Sequence, residues 1–173
     1  MNNWIENALQ LLIKSLKPVP IELNEIDWKS GLSDKSERLA RHISAFANYP
    51  GGGFLAFGIS NSGKSAPLTN DEINSVVQKL GNIARNNLAQ PVGIEHAIVE
   101  FLNNPVLFIF IPEHSNKPVY LRNANIYESY KRSAGQTVKL SRHEINQLLS
   151  ISSGYNFEEQ VASINLNNDE VIK

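Results

Sequence analysis

The sequence predicts an α/β fold in a single domain, a mixed and mostly antiparallel sheet flanked by helices. Three observations carry that expectation. Apolar residues repeat with a period near 3.6 in some stretches and near two in the segments between them. Gly, Pro and Asn clusters punctuate the chain where the period changes. The 173 residues, 42% hydrophobic and 19% charged, suffice for one core and contain no internal repeat or low-complexity block.

In the first helix Trp4, Ile5, Ala8, Leu9, Leu12 and Leu16 form one stripe, and Lys17-Pro18 with Pro20 ends it. Ile26 and Trp28 then alternate with Glu25, Asp27 and Lys29, as in a half-buried strand. Ser33 or Asp34 caps a second helix of about fourteen residues, with Leu39, Ala40, Ile43, Phe46 and Ala47 inward and Arg38 and Arg41 on the opposite face. Tyr49-Pro50 and Gly51 to Gly53 break it, and Phe54 to Ile59 reads as a strand covered on both faces. A polar turn over Asn61 to Lys64 follows. A third helix runs from a cap at Asn70 to about Leu88, with Ile73, Val76, Val77, Leu80, Ile83 and Ala84 in register. Residues 94–111 read as two antiparallel strands joined at Asn103-Asn104-Pro105, and Val119–Leu121 with Ile126–Tyr130 as another pair. Ser141 and Glu144 have capping-box spacing for a last helix burying Ile145, Leu148 and Leu149.

Charge and composition exclude several functions. Sixteen Lys and Arg against 17 Asp and Glu give a net charge of -1, so any polyanion site must be a local patch. The absence of cysteine removes disulfides, thiolate metal sites and a cysteine nucleophile, and fits a reducing, cytoplasmic setting. The longest apolar run, Val106 to Ile111, is six residues, far below the roughly 18 that span a bilayer, so no membrane partner is expected. The first seventeen residues contain Glu6 and no basic stretch before an apolar block, unlike a signal peptide.

The motifs in order, Glu22-x4-Asp27-Trp28-Lys29, Ser44-Ala-Phe-Ala-Asn48, Gly51 to Ile59, Lys117-Pro-Val-Tyr120, Tyr130-Lys-Arg132 and Glu144, resemble the Schlafen-type AlbA-like domain. That family is regarded as DNA-binding and occurs in bacterial regulators, helicase-related proteins and Schlafen proteins. The resemblance covers roughly residues 20–150 and implies a nucleic-acid-binding domain over 20–152, preceded by the N-terminal amphipathic helix that the apolar stripe places within residues 1–19. It makes residues 153–173 an acidic connector to a further C-terminal region. The expected function is a DNA-binding, or more broadly nucleic-acid-binding, module of a bacterial transcriptional regulator that binds without cutting.

The candidate contacts to DNA or RNA are Lys29, Arg38 and Arg41 from the first strand and following helix, with Lys35 beside them, and Lys131, Arg132, Lys139 and Arg142 from the last strand and helix. Tyr127 and Tyr130 lie among the second group, where they could stack on bases. The ordinary alternative is a solvated surface, and Glu37 with Arg41 has the spacing of a helical ion pair.

Glu22, Asp27 and Lys29 form the alternative catalytic set. Two carboxylates can hold a cation that activates water, and an ammonium on the same strand face can stabilise phosphoryl charge. The resemblance implies such acids in Schlafen relatives that cleave RNA, with a third after the Gly-Ile strand, where this chain has Ser60-Asn61. Magnesium or manganese enters only under that metal-dependent ribonuclease alternative; otherwise no cofactor is expected. The five-residue offset brings Glu22 and Asp27 together only if the chain bends near Leu23-Asn24.

Gly58, Gly63, Lys64 and Ser65 spell a phosphate loop, but Pro67 and a later helix start deprive Lys64-Ser65 of a helix N-terminus, so the match reads as coincidental. Gly51 to Gly53 permits a tight reversal or, alternatively, a close phosphate approach. A protein-interaction domain that self-associates through Trp4 and its helix is the remaining alternative, making a homo-oligomer possible.

Overall fold

The computed structural model describes residues 3–151, and its centre is a pair of antiparallel strands with almost no solvent contact. In chain order the elements are α1 (Asn3–Leu16), β1 (Ile26–Lys29), α2 (Ser36–Ala47), β2 (Gly53–Phe57), α3 (Asn70–Asn86), β3 (Glu95–Phe101), β4 (Asn104–Ile111), β5 (Tyr130–Ser133) and β6 (Gln136–Lys139), then α4 over 142–151. The four-stranded sheet has the order β1-β2-β4-β3; β1 runs parallel to β2, and the other pairs are antiparallel. The α/β class and mixed sheet are those expected. Among the described residues no helix is long and apolar enough to cross a membrane.

Two apolar surfaces decide what covers the sheet. On one side Ala8 and Leu12 of α1 meet Ile26, Phe54, Ala56 and Phe108. Trp4 stacks on Phe54 and Phe110 at 6.1 and 5.6 Å and donates its indole N–H to Glu95 at 2.5 Å, so this aromatic is engaged within its own chain. On the other side Leu39, Ile43 and Phe46 of α2 and Ile73, Val76 and Leu80 of α3 close over Leu55, Phe57, Leu107 and Ile109. Each large side chain buried there contributes about 1.5–3 kcal/mol relative to exposure.

Several local expectations change. Helix α2 starts at Ser36 after Lys35, whose side chain makes no cap; the Ser33 hydroxyl instead accepts the Lys35 amide at 3.2 Å. Thr69, not Asn70, caps α3, completing a capping box with Glu72. Residues 119–121 and 126–130 meet in one isolated bridge, Tyr120 to Ser129, rather than a ladder. The real second ladder is β5–β6, turning at Ala134 and Gly135, both with positive φ (51° and 72°). The Ser141–Glu144 capping box is present and Ile145 is buried, but Leu149 is 38% exposed. The connector expected over 153–173 lies outside the described residues.

Candidate nucleic-acid interface

Helix α2 is where the β5–β6 hairpin attaches, and two of its small polar residues make the joint. Ser44 donates to the Val119 carbonyl at 2.7 Å and accepts the Tyr130 amide at 3.1 Å. Asn48, one turn later, donates to the carbonyls of Val119 and Tyr130 at 3.0 and 2.9 Å and accepts the Val119 amide at 2.7 Å. These side chains replace a missing backbone ladder, since buried peptide groups must find partners. Ser44-x3-Asn48 is therefore a structural clamp.

The hairpin tip then lies against the segment leading into β1. Gly135 donates its N–H to Asn24 Oδ1 at 2.8 Å. With φ +72°, a Cβ there would stand 2.4 Å from Glu22 Cβ and 2.7 Å from the Glu22 carbonyl, so only glycine permits this approach. The chain bends at Asn24-Glu25 before β1 begins.

That bend places Glu22 and Asp27 in the wall of one open cleft of about 750 Å³ between β1, the first two turns of α2 and the hairpin. Lys29, Arg38 and Arg41 line the same cleft, and so does Lys35. Lys29 is 3.3 Å from Asp27, and Arg41 is 2.8 Å from Glu37, so those charges are partly balanced. Lys35 and Arg38 are exposed and have no ion-pair partner among the described residues. The cleft is thus electropositive chiefly at the start of α2.

Of the second basic group only Arg132 reaches the lining of this cleft. Lys131 pairs with Glu144 beside α4, Lys139 pairs with Glu128 at 2.7 Å, and Arg142 lies 5.0 Å over the Tyr127 ring. Arg132 points inward and is only 5% exposed. It donates to the carbonyls of Asn24 (3.0 Å), Leu23 (2.9 Å) and Gly135 (3.1 Å) and to Thr137 Oγ1 (3.1 Å), and it lies 4.7 Å over the Phe46 ring. Its guanidinium is a strut under the cleft, occupied by its own chain rather than free for a phosphate.

The donor set does not fit a divalent cation. Glu22 is solvent-exposed, Asp27 already faces Lys29, and Ser60-Asn61 belong to the turn over 60–64, outside the cleft lining. Among the described residues no three His, Asp or Glu side chains converge as metal ligands. Lys64 and Ser65 also lie far from a helix start: Ser60 and Lys64 close a turn, Ile59 bridges Ser65, and α3 begins only at Asn70.

One cleft residue has no signal in the motif reading. His42, on α2, is 9% exposed, with Nδ1 2.8 Å from Thr137 Oγ1 and Nε2 without a partner. Burial first, and the nearby positive charges of Lys29, Arg132 and Arg38 against Asp27, push its pKa down from 6.5 to about 4. The unfolded chain therefore takes up this proton first on acidification. The stability His42 contributes is complete above about pH 6.5 and is lost as pH falls toward 4, roughly 3 kcal/mol in all. Urea unfolding at pH 7 and pH 4.5 should show a smaller acid loss in His42→Gln than in the native chain; equal losses would refute the assignment.

A family model described as Schlafen, AlbA_2 matches residues 22–141. Among solved structures the chain is similar to the DIP2311 protein from Corynebacterium diphtheriae, with 16% identity and a TM-score of 0.55 over 85% of this chain and 28% of that one. It is also similar to the N-terminal domain of a protein from Nitrosomonas europaea named for its relation to the ATP-dependent DNA helicase RecG. There the identity is 24% and the TM-score 0.51, over 76% of this chain and 94% of that domain. These likenesses show the fold. No curated protein matches the chain.

Proposed function

The chain belongs to the Schlafen AlbA_2 family, and from that premise we propose that the cleft between β1, α2 and the β5–β6 hairpin binds the sugar–phosphate backbone of DNA, as the nucleic-acid module of a bacterial transcriptional regulator. The observation that carries this reading is the pair of cations at the start of α2, Lys35 and Arg38, that have no ion-pair partner among the described residues and stand beside Lys29 and Arg41 in one open cleft. A nearly neutral chain gains little from its overall field, so affinity comes from these local phosphate contacts. The relation of one structural neighbour to a DNA helicase supports the same context.

Four phosphate contacts would give a salt slope of log affinity near -3.6 on duplex, at about -0.9 per contact. Reversing both free charges, Lys35→Glu with Arg38→Glu, should weaken binding about 100-fold on every sequence alike and reduce the slope by about 2. Duplex DNA, single-stranded DNA and transfer RNA, each titrated at several salt concentrations, provide the comparison. Undiminished affinity in the double variant, or no binding to any of the three at low salt, would overturn the reading. Incubation of the same nucleic acids with magnesium or manganese against a chelator should leave them uncut, because the cleft carboxylates do not converge and Asp27 and Glu37 already face Lys29 and Arg41; fragments that disappear in Glu22→Ala and Asp27→Ala would establish the nuclease alternative instead.

A further inference from the structure

We infer that the cleft seats a phosphate group against His42 Nε2, which acts as a neutral N–H donor while Nδ1 accepts from Thr137. The inference rests on the cleft being a phosphate-binding surface and names the atom at its floor. Arg132 Nη1 can only donate, so its 3.1 Å bond to Thr137 Oγ1 uses an oxygen lone pair. Thr137 Oγ1 keeps a second lone pair, so the roles in its 2.8 Å contact with His42 Nδ1 follow the ring's tautomer; in the inferred one the hydroxyl donates to Nδ1. An imidazole that accepts at Nδ1 carries its proton on Nε2.

That N–H is buried in the cleft lining without a partner among the described residues. A buried donor left unpaired is costly, and an entering acceptor removes the cost. Arg41 Nε, one residue earlier on the same lining, is a second buried donor without a partner. An N–H at Nε2 has no lone pair for a metal, so the ligand is an acceptor rather than a cation. The surroundings select an anionic one. Lys29, Arg38 and Arg132 outnumber Asp27 around the ring, and Lys35, Arg38 and His42 share a helix face at i, i+3 and i+7. Helix α2 also begins at this cleft with no side-chain cap, so its positive end adds to the field.

The test uses the full chain and reads the histidine rings by nitrogen-detected NMR. His42 should be the Nε2–H tautomer, and inorganic phosphate or a short single-stranded DNA should shift its Nε2 resonance while His96, His114 and His143 stay unmoved. In parallel, His42→Phe should lower DNA affinity roughly tenfold with an unchanged salt slope, since a neutral donor displaces no counterion. His42→Gln, whose amide can stand near Nε2, should bind within about twofold of the native chain. An Nδ1–H tautomer, no shift with either probe, or native affinity in a folded His42→Phe would overturn the inference. If Lys35→Glu with Arg38→Glu abolishes DNA binding while His42→Phe does not, the inference fails and the cleft reading survives. If phosphate alone shifts His42 and no nucleic acid binds, the phosphate site stands with a free phosphate as its source, and the DNA reading fails.

Discussion

Replacing Arg132 by Ala should destabilise the protein by about 4 kcal/mol, a large part of the roughly 5–15 kcal/mol that holds a domain of this size together. The truncation strands the carbonyls of Leu23, Asn24 and Gly135 in a region where Arg132 is 5% exposed. It also leaves Thr137 Oγ1 without its donor and uncovers the Phe46 ring. Each buried acceptor left unpaired costs about 1–3 kcal/mol before relaxation. Arg132→Lys should recover only part of the loss, because an ammonium cannot present the planar fork that reaches several carbonyls at once. Arg142→Ala, at an exposed ring contact, should change stability by no more than about 0.5 kcal/mol. Urea unfolding of the three variants decides the matter. If Arg132→Ala keeps its midpoint yet loses affinity for DNA, the guanidinium is a ligand contact and the strut assignment is wrong.

Arg132 also shows where sequence reading stops. Tyr130-Lys-Arg132 alternates as a strand should, but alternation does not say which face is buried. An arginine on the inner face is uncommon enough that the surface reading comes first. The whole β5–β6 ladder is obscure for a related reason. Gln136 to Lys139 holds one large apolar residue, Val138, so no period-two stripe announces it. The Gly135 turn was the signal that could have revealed it, since two positive-φ residues make a type I′ hairpin.

Elements with long stripes or repeated alternation were legible: α1, α3 and the β3–β4 hairpin start and end within a few residues of expectation. Of the site, the half drawn from one stretch of chain was legible. Asp27, Lys29, Arg38 and Arg41 lie within fifteen residues on one strand and the following helix, and Glu22 joins them only through the bend at Asn24-Glu25. The bond between His42 and Thr137 joins positions 95 residues apart, and no local pattern encodes it. Ser44 and Asn48 stand between these cases. Their spacing marks one helix turn, but their partners at Val119 and Tyr130 lie 71 to 86 residues away, and nothing local joins them.

Gly52→Ala should cost about 4 kcal/mol or prevent folding, whereas Gly51→Ala should cost only about 1–2 kcal/mol. The two residues adjoin in one loop and both have positive φ, +83° at Gly51 and +73° at Gly52, so the backbone strain of adding a Cβ is shared. The space around them differs. Nothing lies within 4 Å of a Cβ at Gly51, while one at Gly52 would meet the Ile111 carbonyl oxygen at 2.2 Å and the Glu113 nitrogen at 2.8 Å. Both obstacles are backbone at the end of β4, a central strand, and cannot swing aside as a flexible side chain would. The Glu113 carboxylate holds the loop there by accepting the Gly51 amide at 2.8 Å, which together with Lys117 keeps its pKa below the usual carboxylate range. The comparison also separates the two roles open to the triglycine. The loop lies beyond the C-terminal end of α2, whereas the cleft lining reaches along the helix only to His42, roughly 8 Å short of that end along its axis. Gly51→Ala should therefore bind DNA within about twofold of the native chain. A tenfold loss of affinity in that folded variant would make the loop a phosphate contact, and equal stability of the two alanine variants would refute the close packing against β4.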